Sequence, residues 1–188
     1  MADQLDLFAA PPSLPAGFRY QPELISPAAE ACLLEQIRGL PFREFEFHGY
    51  VGKRRTVSFG ASYDFATERL AVAPELPPFL LDLRQRAAAF AGLAAERLQQ
   101  VLVTEYAPQA AIGWHRDKAV FGEVVGLSLL SSCPFRLRRR DGDGWKRVTV
   151  EAAPRSAYLL SGEARTEWEH SIPPVESLRF SVTFRTVR

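Results

Sequence analysis

From Gln100 onward the chain is written almost wholly in short strand-like runs broken by turn signals, at 100–107, 112–115, 124–131, 134–140, 145–150, 156–161, 167–171 and 178–187. Side chains on a strand alternate between two faces, so runs of this length must stack as sheets to bury their apolar sides. Asp141-Gly142-Asp143-Gly144 is the strongest turn among them, suited to a tight hairpin. Strands at this spacing predict a sandwich or jelly roll, in an α+β, mainly β, chain. Two helices come earlier. The first starts at Ser26 as N-cap, with Pro27 in the first turn, and ends near Gly39; Leu33, Leu34, Ile37 and Leu40 form its apolar stripe. The second covers about 77–92, opens with Pro77-Pro78 and is rich in Ala and Leu. Both are expected to pack on one sheet. Residues 42–51, with Phe42, Phe45, Phe47 and Tyr50, read as a strand ending in a basic turn, Gly52-Lys53-Arg54-Arg55.

Within the β region, His115-Arg116-Asp117 is answered 53 positions after the aspartate by His170, and soon after by Arg179-Phe180-Ser181-Val182-Thr183-Phe184-Arg185. In an extended segment His115 and Asp117 point to the same side. Two histidines and one carboxylate are the set that holds Fe(II) on a triangular face and leaves positions open for reactants. By the same alternation Arg179, Ser181, Thr183 and Arg185 share one face, while Phe180, Val182 and Phe184 pack on the other. The two arginines lie roughly 20 Å apart along the backbone, a gap that two inward-reaching side chains narrow to suit a short dicarboxylate. The third histidine, His48, has no such company and reads as structural or as a surface residue.

Composition bounds the rest. With 47% apolar residues the chain can build a real core, and 23 basic against 22 acidic residues exclude a global polyanion-binding charge. Any nucleic-acid surface must be local, and Arg136, Arg138 and Arg140, followed by Lys146 and Arg147, form the best such patch; a charged edge strand explains it nearly as well. Cys32 and Cys133 form no disulfide framework and are expected to be buried free thiols. Neither a basic leader followed by an apolar run nor an 18-residue apolar stretch is present, so no membrane contact is expected and the chain reads as cytoplasmic. Residues 1–20 are expected to be a flexible tail and 21–188 a single, monomeric domain.

The pattern Thr104-Glu105-Tyr106, His115-x-Asp117, His170 and Arg179-x-Ser181-x-Thr183-x-Arg185 resembles that of the AlkB-like Fe(II)/2-oxoglutarate-dependent dioxygenases, over about residues 16–188. The resemblance implies a double-stranded β-helix (jelly roll), with iron on His115, Asp117 and His170. It implies 2-oxoglutarate as co-substrate with dioxygen: Arg179, Ser181, Tyr106 and Thr104 would hold its distal end, and Arg185 would approach its iron-proximal carboxylate. It implies oxidation of N-alkyl groups on bases of DNA or RNA, single strands included, the hydroxymethyl product falling away as formaldehyde. Residues 42–66 are similar to the family's nucleotide-recognition lid, in which Arg54 and Arg55 would meet phosphate while Tyr63 and Phe59 flank the base. Trp114 would line the pocket. Two positions depart from the family pattern: Thr104 replaces an asparagine, and Ala119 stands where an acid often contacts the base, with Glu123 as the nearest substitute. Ala119 favours a second reading, the same chemistry on a tRNA base or protein side chain; a third reading is a non-catalytic binding module on the same scaffold. Gln4-Leu5-Asp6-Leu7-Phe8 resembles the short peptides that dock on the bacterial sliding clamp.

Overall fold

The computed structural model of the protein describes residues 14–47, 50–64 and 69–188, and the side chains of 45–52 lie outside that description. The clamp-like segment Gln4–Phe8 and His48 therefore lie outside the described residues. In chain order the elements are β1 (Phe18–Gln21), α1 (Pro27–Arg38), β2 (Arg43–Phe47), β3 (Tyr50–Phe59), β4 (Ala61–Asp64), β5 (Arg69–Val72), α2 (Leu81–Ala91), β6 (Leu98–Tyr106), β7 (Ile112–His115), β8 (Phe121–Leu129), β9 (Cys133–Asp141), β10 (Gly144–Ala152), β11 (Ala157–Leu160), α3 (Gly162–Thr166), β12 (Glu169–Ile172) and β13 (Arg179–Val187).

Two antiparallel sheets face each other as a jelly roll. The larger has the order β1-β11-β8-β13-β6-β3-β2, the smaller β10-β9-β12-β7, and β4 with β5 makes a separate hairpin. The larger sheet is apolar on its helix side, where Val101, Val103, Val125, Leu127, Phe180, Val182 and Phe184 pack with Leu33, Leu34 and Ile37 of α1 and Leu83 and Ala87 of α2. Each fully buried side chain of this size contributes roughly 1.5–3 kcal/mol relative to exposure. Both helices cover this one face, as the sequence predicts. The opposite face of the same sheet looks into the roll and carries Arg179, Ser181, Thr183 and Arg185, all buried.

Local chemistry sets the helix ends. Ser26 Oγ accepts the Ala29 N–H at 3.2 Å with Pro27 in the first turn, and α2 stops at Gly92, whose φ of 72° is the left-handed cap conformation. Glu30 of α1 accepts from Leu130 N–H at 2.8 Å and from Arg155 at 3.2 Å, tying the helix to two loops of the sheet.

Four expectations change. The tail does not run to residue 20, because Phe18–Gln21 pairs with β11 and Phe18 is 6% exposed in the core. Residues 42–51 are not one strand before a basic turn: β2 and β3 form a hairpin, and Lys53-Arg54-Arg55 lies inside β3, paired with β6. Cys133 is buried but Cys32 is exposed, on the outer side of α1. The arginines of β9 do not sit on an edge, since β10 covers one side of that strand and β12 the other. Among the described residues no helix is long and apolar enough to cross a membrane.

Candidate metal and co-substrate site

The antiparallel ladder of β7 and β12 sets His115 directly opposite His170, and Asp117 follows two residues past the end of β7. One ligand atom from each of the three residues lies within 4.8 Å of the others. His115 Nδ1 stands 2.9 Å from the Gly113 carbonyl, which can only accept, so Nδ1 is the donor and Nε2, 3.9 Å from Asp117 Oδ1, is the nitrogen available as a ligand atom. His170 is buried and stacks on Phe135, with centroids 5.3 Å apart; Phe135 in turn stacks on Tyr158 at 4.3 Å. Tyr158 lies over Gly126, where an added Cβ would come within 2.2 Å of its ring.

The electrostatics prepare these groups for a cation. Burial, then the neighbouring His115, lowers the proton affinity of His170 to about 3, against a smaller opposing pull from Asp117, so its imidazole is neutral at ordinary pH. Burial alone would raise the Asp117 carboxyl, but Arg185 and the two histidines override it and hold the group below the usual carboxylate range. Arg185 spans Asp117 from Nε at 3.1 Å and Nη2 at 3.4 Å, and its Nη1 donates to Gln100 at 2.8 Å.

Arg179 stands differently. It is 2% exposed, donates from Nη2 to Ser128 Oγ at 2.9 Å, and lies 4.5 Å from the Tyr106 ring centroid. Its Nε and Nη1 have no hydrogen-bond partner. A buried guanidinium with open donors is costly unless an anion meets it, and its planar fork matches a carboxylate. Tyr106 and Ser181 hydroxyls, 3.5 Å apart, and Thr104, paired in register with Ser181, line the same inner face. Two facing imidazoles, that of His170 held neutral, an ionised carboxylate and an unmatched arginine fit a divalent metal next to a carboxylate-bearing ligand. Arg179 rather than Arg185 has the free donors, so the two arginines divide the work instead of sharing one clamp.

The expected substrate residues fare unevenly. Arg54 pairs in register with Tyr106 and is half-buried on that inner side, whereas Arg55, its neighbour, points the other way and is held by Glu105 at 2.8 and 2.9 Å. The two cannot act as a phosphate-binding pair, because neighbouring strand residues face opposite sides. Phe59 is 5% exposed in the helix-side core and cannot flank a base. Tyr63 does reach the site's rim, 6.4 Å from Phe121, with Lys118 Nζ 5.2 Å above its ring. Trp114 is turned to the outer face, under Arg136 and Arg138, and does not line the pocket. Glu123 cannot replace the acid missing at Ala119: it is engaged by Thr186 at 2.7 Å on the helix side of the sheet.

Sequence reasoning missed Arg165. Its buried guanidinium donates to the carbonyls of Lys118, Phe121 and Gly122 at 2.7, 2.7 and 2.8 Å, fixing the loop that carries Asp117. No local signal could have found it, since its partners are backbone atoms more than forty residues away.

A family model described as the 2OG-Fe(II) oxygenase superfamily matches residues 17–185. The chain is similar to the Arabidopsis thaliana alkylated DNA repair protein ALKBH8 homolog, 31% identical over 147 residues that make up 65% of this chain and 42% of that protein. It is similar also to the Xenopus tropicalis tRNA (carboxymethyluridine(34)-5-O)-methyltransferase alkbh8, 28% identical over 182 residues, 87% of this chain and 26% of the other. It thus spans less than half the length of either relative. Among solved structures, that of OsALKBH1 superposes with a TM-score of 0.72 at 16% identity, covering 93% of this chain and 98% of its own, a likeness of fold. The chain belongs to the 2OG-Fe(II) oxygenase superfamily, in its AlkB-like branch, and so to proteins that work with Fe(II), 2-oxoglutarate and dioxygen.

Proposed function

We propose that the chain is a 2-oxoglutarate-dependent dioxygenase that removes alkyl groups from nucleic-acid bases. The observation that carries the co-substrate is Arg179, whose two open donors sit deep in the roll beside Tyr106 and Ser181. His115, Asp117 and His170 would hold Fe(II), and Arg179 with the Tyr106 and Ser181 hydroxyls would hold the distal carboxylate of 2-oxoglutarate. Bound there, Fe(II) and 2-oxoglutarate would supply the oxidising power together with dioxygen, with succinate and carbon dioxide as co-products.

The chain's own residues bind, orient and exclude water. Arg185 keeps Asp117 ionised and fixes its carboxylate plane through two contacts. The Phe135–Tyr158 stack behind His170 keeps water from its ring. At the rim, Tyr63 packs against the buried Phe121, which underlies Arg185 at 5.2 Å, so Tyr63 would supply the aromatic flank for a base on the side of Arg185 and Asp117. An extruded base needs such apolar flanks. The names of the two relatives support both a DNA and a tRNA target, and Ala119 favours the second reading, a modified tRNA base.

The test is mass analysis of methylated single-stranded DNA, methylated RNA and a methyl-lysine peptide after incubation with Fe(II) and 2-oxoglutarate, with succinate measured alongside. Loss of the methyl group from an oligonucleotide, abolished in His115→Ala, is the expected result. Succinate stimulated by the peptide alone would overturn nucleic acid as the target.

A further inference from the structure

The outer face of the smaller sheet carries charges that the site within does not use. Arg136, Arg138 and Arg140 alternate along β9 and so share this face, about 6.8 Å apart at 3.4 Å per residue. Arg147 of β10 stands directly opposite Arg138. Like charges in a cross-strand pair are destabilising; protection of an edge can account for Arg147 on β10 but not for the arginines of β9, a central strand. Two indoles order the row. The Arg138 guanidinium is sandwiched between Trp114 at 4.4 Å and Trp145 at 4.1 Å, with Arg136 5.1 Å from Trp114 and Arg140 4.9 Å from Trp145. Stacking on an indole fixes the plane of a guanidinium while its in-plane N–H groups stay available to an anion. Acidic Glu169 takes Arg138 Nε at 2.7 Å and Ser171 takes Arg136 Nε at 3.0 Å, which pins the row further; Arg140 and Arg147 remain exposed.

The row begins at the mouth of the site. The His115 side chain is 38% exposed and that of Asp117 9%, so the site opens on the side of β7, the edge strand of this sheet. Trp114, the residue before His115, is the first member of the outer row. A chain leaving the site over β7 meets Trp114 and then the arginines.

We infer that this guanidinium–tryptophan face is a docking surface for the single-stranded nucleic acid flanking the target base, its phosphates following the β9 arginines. The inference rests on the proposed nucleic-acid target. A rigid cationic row at the repeat of an extended backbone tracks phosphates without regard to sequence.

Fluorescence anisotropy of a labelled single-stranded 16-nucleotide DNA, titrated with the full chain across a salt series, tests it. The double variant Arg140→Glu with Arg147→Glu should bind about tenfold or more weakly, and its log–log salt dependence should flatten by about 1.4, since each single-strand phosphate contact contributes about 0.7. The charge-keeping Arg140→Lys with Arg147→Lys should retain the wild-type salt dependence, and far-ultraviolet circular dichroism checks that each variant is folded. Wild-type affinity and salt dependence in a folded Glu variant would overturn the inference. A sulfated polysaccharide of equal charge that binds as tightly, and is lost in the same variant, would overturn nucleic acid as the occupant. Wild-type turnover of a methylated trinucleotide, too short to cross onto the sheet, separates the two claims: turnover with no effect of the Glu variant on the longer strand sinks the docking surface alone.

Discussion

His115 and His170 face each other across the β7–β12 ladder with ring centroids 4.2 Å apart and planes inclined by 56°. Two imidazole rings so close gain little from each other; a shared cation within reach of Asp117 would make the arrangement favourable. Each side chain around them has a separable task, and the tasks predict different failures.

Arg179→Gln removes the charge that would meet the distal carboxylate but leaves the metal ligands alone. Hydrogen bonds to a charged partner contribute about 1.5–3 kcal/mol, so the apparent KM for 2-oxoglutarate should rise roughly 10- to 100-fold. Isothermal titration with Fe(II) or Mn(II) should show metal affinity nearly unchanged. A matching loss of metal affinity would place Arg179 in the metal site instead.

Arg165→Gln should loosen the loop that ends in Asp117 without touching any ligand. It deprives the carbonyls of Lys118, Phe121 and Gly122 of one shared donor. Stability should fall by about 3 kcal/mol, in the range for breaking a buried charged contact, and metal affinity should fall with it. Denaturant unfolding and metal titration measure the two effects, and unchanged metal affinity would confine Arg165 to a purely structural role.

His170 imposes a pH dependence on the metal-free protein. Its folded proton affinity, about 3, lies below the ordinary histidine value of about 6.5, so unfolding takes up a proton in that window. The sign follows: stability from this group is complete above about pH 6.5 and is lost as pH falls toward 3, by at most about 1.4 kcal/mol per unit. Urea unfolding of chelator-treated protein between pH 7 and 5 should show the slope, and His170→Phe should reduce it.

Gly126→Ala should act at a distance. A methyl group there meets the Tyr158 ring, which must move against Phe135 and, through it, His170. Overpacking of this kind costs about 1–3 kcal/mol. Thermal unfolding should register the loss, and weakened Fe(II) binding should accompany it; Gly126→Ala with Tyr158→Phe should recover only part of the loss, because ring carbons clash as well as the hydroxyl.

Much of the architecture is written locally. The alternation of Phe180, Val182 and Phe184 with Arg179, Ser181 and Arg185 is a property of the strand repeat, and it holds whatever else the chain does. The same is true of the Ser26 cap, of the strand boundaries after residue 98, and of the spacing that brings His115 and Asp117 to one side. What alternation cannot say is which sheet face meets which partner. Arg54 and Arg55 look equivalent in the sequence, yet only Arg54 turns toward Tyr106. Phe59 and Tyr63 look alike as aromatic walls, yet one is core and the other rim.

The residues themselves therefore determined the two long helices, most strands from Leu98 onward with their two faces, and the chemical identity of the ligand set, because those depend on repeats of two or four positions and on side-chain chemistry. Tertiary structure alone decided that Arg185 belongs to Asp117 while Arg179 is left with open donors, that Arg165 holds a distant loop, and that Trp114 leads an outer row of arginines. Those outcomes depend on strand order and on backbone atoms brought together across more than forty residues, which no local pattern encodes.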